Sequence, residues 1–160
     1  MRSFKRSQKL PIPLEEAWAF LSDPRNLKTI TPPSMGFDIH TDHLPSKAYA
    51  GQIITYTVKP LVGIPLNWVT EITHLQAPYF FVDEQRFGPY RFWHHQHWLK
   101  EDGEHTLMED IIHYKVPGGP LGNLLAPLLV IPKLQEIFAY REKKLKELFP
   151  GEETEINRSV

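Results

Sequence analysis

Hydrophobic and polar positions alternate with a period of two over residues 4–10, where Phe4, Arg6, Gln8 and Leu10 oppose Lys5, Ser7 and Lys9. That period predicts a strand, and Pro11 and Pro13 end it. The spacing then lengthens. Leu14, Ala17, Trp18 and Leu21 fall at helical intervals, with Glu15 and Glu16 in the first turn, where the helix dipole favours acids. Asp23-Pro24 has the pattern of an N-cap followed by proline at the first helical position, so a second helix starts there. Pro32-Pro33 keeps it short.

Residues 37–116 carry β patterning almost throughout. Six runs, 37–43, 51–59, 66–75, 79–87, 91–100 and 106–116, are separated or ended by Gly51, Gly63-Ile64-Pro65, Ala77-Pro78, Gly88-Pro89 and Asp102-Gly103. Short connections make successive strands antiparallel neighbours, so with the first run the chain predicts a seven-stranded meander. After Pro117-Gly118-Gly119-Pro120 the helical period returns. Leu124, Leu128, Ile131, Leu134, Phe138, Leu145 and Leu148 trace one stripe, and Gln135, Glu136, Arg141, Lys143, Lys144 and Glu147 fall largely off it. Pro127 and Pro132 should bend or interrupt its first half. The helix should end near Pro150-Gly151, with 152–160 a frayed tail. Residues 1–150 are therefore expected to form one α+β domain. Its twisted antiparallel sheet has one face to bury, and only the terminal helix is long enough to cover it.

Composition narrows the function classes. The 160 residues suffice for an ordinary core. With 18 Lys+Arg against 19 Asp+Glu the net charge is -1, and a nucleic-acid partner, which calls for a basic excess, is not expected. The absence of cysteine excludes disulfide scaffolds, thiolate catalysis and zinc–thiolate sites. The longest apolar run, 124–131, is broken by Pro127 and is far shorter than the ~18 residues of a membrane span. No apolar signal stretch opens the chain, so a cytoplasmic location is expected. Lys143, Lys144 and Lys146 beside Leu145 and Leu148 could make the terminal helix membrane-seeking; the commoner use of such a helix is as the lid of a core.

The period of two also assigns faces. Leu66, Trp68, Thr70 and Ile72 point inward in their run. Assigning the sets that contain Phe81, Trp93 and Met108 to the same concave side brings Asp83, Gln85, His95, His97, Asp110 and Tyr114 in with them. With Tyr56, these residues form the candidate ligand-binding set: Tyr56, Trp68, Phe81, Trp93 and Met108 as walls, and Asp83, Gln85, His95, His97, Asp110 and Tyr114 as polar members. Buried carboxylates and imidazoles need partners, and two Asp beside two His can satisfy one another. Such a set is either an internal strut fixing sheet register, the polar end of a binding cavity, or an acid–base pair. His95 and His97 leave the same face of a strand, and a His-x-His pair can share a zinc if Asp83 or Asp110 completes the shell. Hydrogen-bonded core imidazoles are the commoner use, and neither metal nor other cofactor is assigned.

With this order of elements, the chain resembles the START-related superfamily called SRPBCC, which includes polyketide cyclase/dehydrase proteins, lipid-transfer START domains, coenzyme Q-binding proteins and relatives of the birch-pollen allergen. The resemblance spans about residues 3–149 and is nearest to a bacterial ligand-binding subgroup. It rests on Thr31-Pro32-Pro33, Phe81-Val82-Asp83-Glu84-Gln85 leading to Gly88-Pro89-Tyr90, Trp93-His94-His95-Gln96-His97, Thr106-Leu107-Met108-Glu109-Asp110 and Ile137-Phe138-Ala139-Tyr140-Arg141. It implies the helix-grip fold, a seven-stranded antiparallel sheet curled around a long C-terminal helix with two short helices after the first strand. It also implies a cavity for a small hydrophobic molecule such as a lipid, quinone, sterol or polyketide. No residue matches a cyclase's catalytic set.

The function expected is storage, transport or sensing of such a molecule, in a cavity of at least the ~300 Å³ that a drug-sized ligand needs. The alternative is a cyclase- or dehydratase-like enzyme in which an Asp-oriented His95 or His97 moves protons. A third class is an interaction module or homodimer acting through Trp98 and Phe92 on the sheet's outer face.

Overall fold

A computed structural model describes residues 1–59 and 63–151; the tail expected at 152–160 lies outside the described residues. Strand β1 (Arg2–Leu10) is followed by helix α1 (Leu14–Leu21) and two 3-10 helices, Pro24–Lys28 and Pro33–Met35. Then come β2 (Asp38–Ile39), β3 (Gln52–Val58), β4 (Leu66–Gln76), β5 (Phe80–Phe87), β6 (Phe92–Asp102), β7 (His105–Lys115) and the long helix α2 (Gly119–Leu148). The seven strands form one antiparallel sheet in the order β1-β7-β6-β5-β4-β3-β2. Only β1 departs from the meander, crossing to pair with β7 along its full length. This is a helix-grip fold.

The element after Asp23 is 3-10 rather than α. Asp23 caps it by accepting a hydrogen bond from the Arg25 backbone N–H, and Pro24 stands at its first position. β2 is much shorter than the expected 37–43. The Thr41 hydroxyl accepts the Thr55 N–H in place of a backbone carbonyl, and His43 takes a left-handed conformation (φ 55), so the chain leaves the sheet.

Helix α2 differs from expectation in two ways. It runs unbroken through Pro127 and Pro132: two missing donors remove two bonds from a 30-residue ladder without ending it. Its apolar stripe is also buried over only part of its length. Leu134, Phe138 and Leu145 are buried, whereas Leu124 and Leu128 are 71% and 72% exposed, and Leu148 is exposed too. A 30-residue helix is about 45 Å long, against about 36 Å for the longest, 11-residue strands, so the helix outreaches the sheet it covers. At its start, Gly122 lies against the Pro117 carbonyl so closely that a Cβ there would meet the oxygen at 1.9 Å.

The core falls into three clusters. One, centred on Leu10, Ile12, Ala17, Leu99, Met108 and Leu145, joins α1 and the end of α2 to the sheet. The second holds Phe37, Ile54, Tyr56, Trp68 and Phe81, and the third Ile112, Tyr114, Leu134 and Phe138. The cavity lies among them.

Candidate functional site

The register of the central strands is unbroken where the site lies. Asp83 faces His95 across β5 and β6, and His97 faces Asp110 across β6 and β7. All four side chains therefore project from one face, towards α2, and their diagonal contacts close a ring. His97 Nε2 lies 2.8 Å from Asp83 Oδ2, and His95 Nδ1 lies 3.4 Å from the same oxygen. On the far side, His95 Nε2 and His97 Nδ1 each lie 2.9 Å from Asp110 Oδ1. The two imidazole centroids are 3.8 Å apart, and the His97 ring stacks on Phe81 at 4.1 Å.

Helix α2 supplies a fifth member. Arg141 is only 7% exposed; it lays its guanidinium over the Phe138 ring and brings Nη1 to 3.5 Å from Asp110 Oδ1. The sequence pattern placed Arg141 off the apolar stripe. Yet Leu134, Phe138, Arg141 and Leu145 follow one another at three- and four-residue steps, the spacing of a single helix face, and that was the signal for its burial. Among the described residues, Arg141 Nε and Asp110 Oδ2 are buried without a hydrogen-bond partner.

Burial alone would raise the Asp83 carboxyl, but the charge and hydrogen bond of His95, and those of His97, outweigh it and hold the group well below the usual carboxylate range. Asp110 is depressed in the same way: burial is overcome by hydrogen bonds from both imidazoles and by the charges of His97 and Arg141. For His95, burial would favour the neutral ring, while the Asp83 charge and the hydrogen bonds to Asp110 and Asp83 raise its pKa above the ordinary value.

Beside this polar pole stands an aromatic wall, its Trp93 ring edge-on to His95 at 6.2 Å. Trp68 meets Trp93 edge-on at 5.2 Å, stacks on Tyr56 at 5.9 Å and touches Tyr90 at 5.5 Å. The Trp68 indole N–H donates to the Thr70 hydroxyl, which also lies 3.3 Å from the Tyr56 hydroxyl, so the polar tips of Trp68 and Tyr56 are satisfied. Burial and, next, the Asp83 charge push the Tyr56 hydroxyl far up, and it stays protonated.

Between wall and pole is a cavity of about 200 Å³. Of the sequence candidates, Tyr56, Trp68, Phe81, Asp83, Trp93, His95, His97 and Met108 line it. Gln85, Asp110 and Tyr114 do not. Gln85 lies beyond the last β5–β6 pair, Glu84↔His94, and is spent on the turn: its amide donates to the Tyr90 carbonyl and accepts the Tyr90 N–H. Asp110 sits behind the two imidazoles, and Tyr114 is wholly buried against α2. Sequence patterning missed Tyr90, Leu27 of the first 3-10 segment and Ile30 just after it, and Leu134, Phe138 and Arg141 of α2, all of which line the cavity. The volume is also below the ~300 Å³ expected, and Leu134 and Phe138 of α2 are among the buried side chains that line it.

No protein-family model matches the sequence, and no curated protein matches it either. Solved structures do. TTHA0849 from Thermus thermophilus superposes with a TM-score of 0.70 at 14% identity, covering 92% of this chain and 99% of that one. The ginseng major latex-like protein 151 from Panax ginseng gives 0.65 at 11% identity, covering 93% and 97%. A Thalictrum norcoclaurine synthase point mutant, in complex with a transition-state analogue, gives 0.65 at 13% identity, covering 92% and 95%. The chain therefore shares the helix-grip fold of these proteins. No helix among the described residues is long and apolar enough to cross a membrane.

Proposed function

We propose that this protein binds a small, largely apolar molecule, about one substituted ring in size, between the aromatic wall and the Asp83–His97 pole. The observation that carries this reading is a cavity of about 200 Å³ lined by Trp68 and Trp93 together with Asp83, His95 and His97. An apolar cavity of ~150 Å³ takes up benzene, so the space here admits a ring with a short polar substituent. Burial of the ring supplies roughly 25 cal/mol per Å² of apolar surface, and the polar pole fixes which way the substituent points. The norcoclaurine synthase structure, with its bound transition-state analogue, supports the reading as a fold relative that holds a small molecule.

Phenol is a suitable probe. Titration into the chelator-treated protein should give saturable shifts of the Trp68 and Trp93 indole N–H signals in NMR, with a dissociation constant of roughly 10⁻⁵ to 10⁻³ M for so small a ligand. Met108→Trp fills the space and should abolish them while circular dichroism shows the fold intact. Shifts that never saturate, or that persist unchanged in Met108→Trp, would refute cavity binding.

A further inference from the structure

One ligand atom from each of Asp83, His95 and His97 lies within 4.8 Å of the others. We propose that these three residues bind a divalent first-row transition-metal ion, of the zinc or ferrous iron class, with its open positions facing the apolar cavity.

The ring nitrogens point this way first. All four of His95 and His97 lie 2.8 to 3.4 Å from a carboxylate oxygen. One N–H per neutral ring serves the two hydrogen bonds, His95 Nε2 with Asp110 Oδ1 and His97 Nε2 with Asp83 Oδ2, so the second nitrogen of each ring turns a lone pair towards a carboxylate. A metal ion beside Asp83 relieves that contact. His95 Nδ1 and His97 Nε2 become its lone-pair donors, and His95 Nε2 and His97 Nδ1 hold the protons that face Asp110.

The spacing agrees. Ligand atoms bound at 2.0–2.2 Å lie roughly 3.0 Å apart at adjacent octahedral positions and roughly 3.4 Å apart in a tetrahedron. The two nitrogens facing Asp83 Oδ2 lie 2.8 and 3.4 Å from it. Two imidazoles and one carboxylate on one side of an ion, with the remaining positions free, make the facial arrangement of non-haem iron and catalytic zinc sites.

The outer shell is already in place. Metal-bound histidines give their second N–H to a carboxylate or carbonyl, and here both second nitrogens converge on Asp110 Oδ1 at 2.9 Å. Asp110 is 0% exposed and is braced by Arg141. Position separates the two carboxylates: Asp83 lines the cavity and Asp110 does not. Asp83 is therefore the ligand and Asp110 a positioning residue.

The test uses untagged full-length protein, stripped with EDTA and titrated with zinc chloride by calorimetry and with cobalt(II) by visible spectroscopy. One equivalent should bind at micromolar concentration or tighter, and the cobalt d–d band should report nitrogen and oxygen ligation. Asp83→Asn, which preserves shape, and His97→Ala should weaken binding at least ~100-fold, and Asp110→Asn about 10- to 100-fold. His94→Gln and His113→Gln, on the sheet's outer face, should change nothing. Wild-type protein that binds no zinc at tens of micromolar overturns the proposal. So does zinc binding that survives Asp83→Asn or is lost in His94→Gln. No organic ligand enters this titration, so its failure leaves the phenol result standing, and the converse holds too.

Discussion

At one end of the cavity Tyr56, Trp68, Tyr90 and Trp93 hold one another through ring faces and edges at 4.8 to 5.9 Å. At the other, Asp83, His95, His97 and Asp110 hold one another through contacts of 2.8 to 3.4 Å between charged or polar atoms. Both ends are buried or half-buried, and they meet on β6, which carries Trp93 for one and His95 and His97 for the other. They differ in how the loss of one member is felt. Ring contacts contribute about 0.5–1.5 kcal/mol per pair beyond area burial and survive modest displacement. The polar ring compensates desolvation only when complete, because each group removed leaves its neighbours unpaired in a low-dielectric site.

The sharpest way to break this comparison is to damage each end once. Asp110→Ala should cost about 3–5 kcal/mol in urea unfolding of the metal-free protein, because it strands both imidazoles and Arg141. Trp68→Phe should cost roughly 1–2 kcal/mol, since most of the wall's contacts remain. Equal costs would show that the polar ring is not a cooperative unit.

A pH series on metal-free protein probes the polar end without mutation. Asp83 and Asp110 are depressed in the folded state, so their contribution is present above the ordinary carboxylate value of about 4 and is lost as pH falls below it. His95 is raised, so its contribution is complete below the ordinary imidazole value of about 6.5 and is lost as pH rises through its folded value. Unfolding free energy should therefore be greatest between about pH 4 and 6.5 and decline on both sides. A curve still rising above pH 7 would contradict the paired His95. The smallest effect is expected outside both ends: Leu128→Gln, on the exposed part of α2, should shift thermal unfolding by the equivalent of less than about 0.5 kcal/mol.

Much of the polar site was legible because strand geometry is local. Period two puts Asp83, His95, His97 and Asp110 on one face provided no bulge intervenes, and the β5–β6 and β6–β7 registers contain none. The irregularities fall between β4 and β5, at Val69/Thr70 and at Ile72/His74. Gln85 shows where local reasoning ended. It carries the right parity and stays paired with Thr70 of β4, but the β5–β6 ladder stops at Glu84 and the turn to Tyr90 claims its side chain. Gly88 allows that closure, since a Cβ there would meet the Gln85 amide oxygen at 2.5 Å.

Alternation, turn residues and the terminal helical period determined the seven strands, the antiparallel pairing of β2 to β7 in chain order, and which carboxylates and imidazoles share a face; the crossing of β1 to β7 lay beyond them. These follow from steric rules that act over a few residues. Which of those side chains reach the cavity, how large it is, and that Arg141 braces Asp110 were decided by how α2 crosses the sheet. That is a property of packing between segments distant in the chain: helical spacing offers a face, and only the surface it meets decides which part is buried.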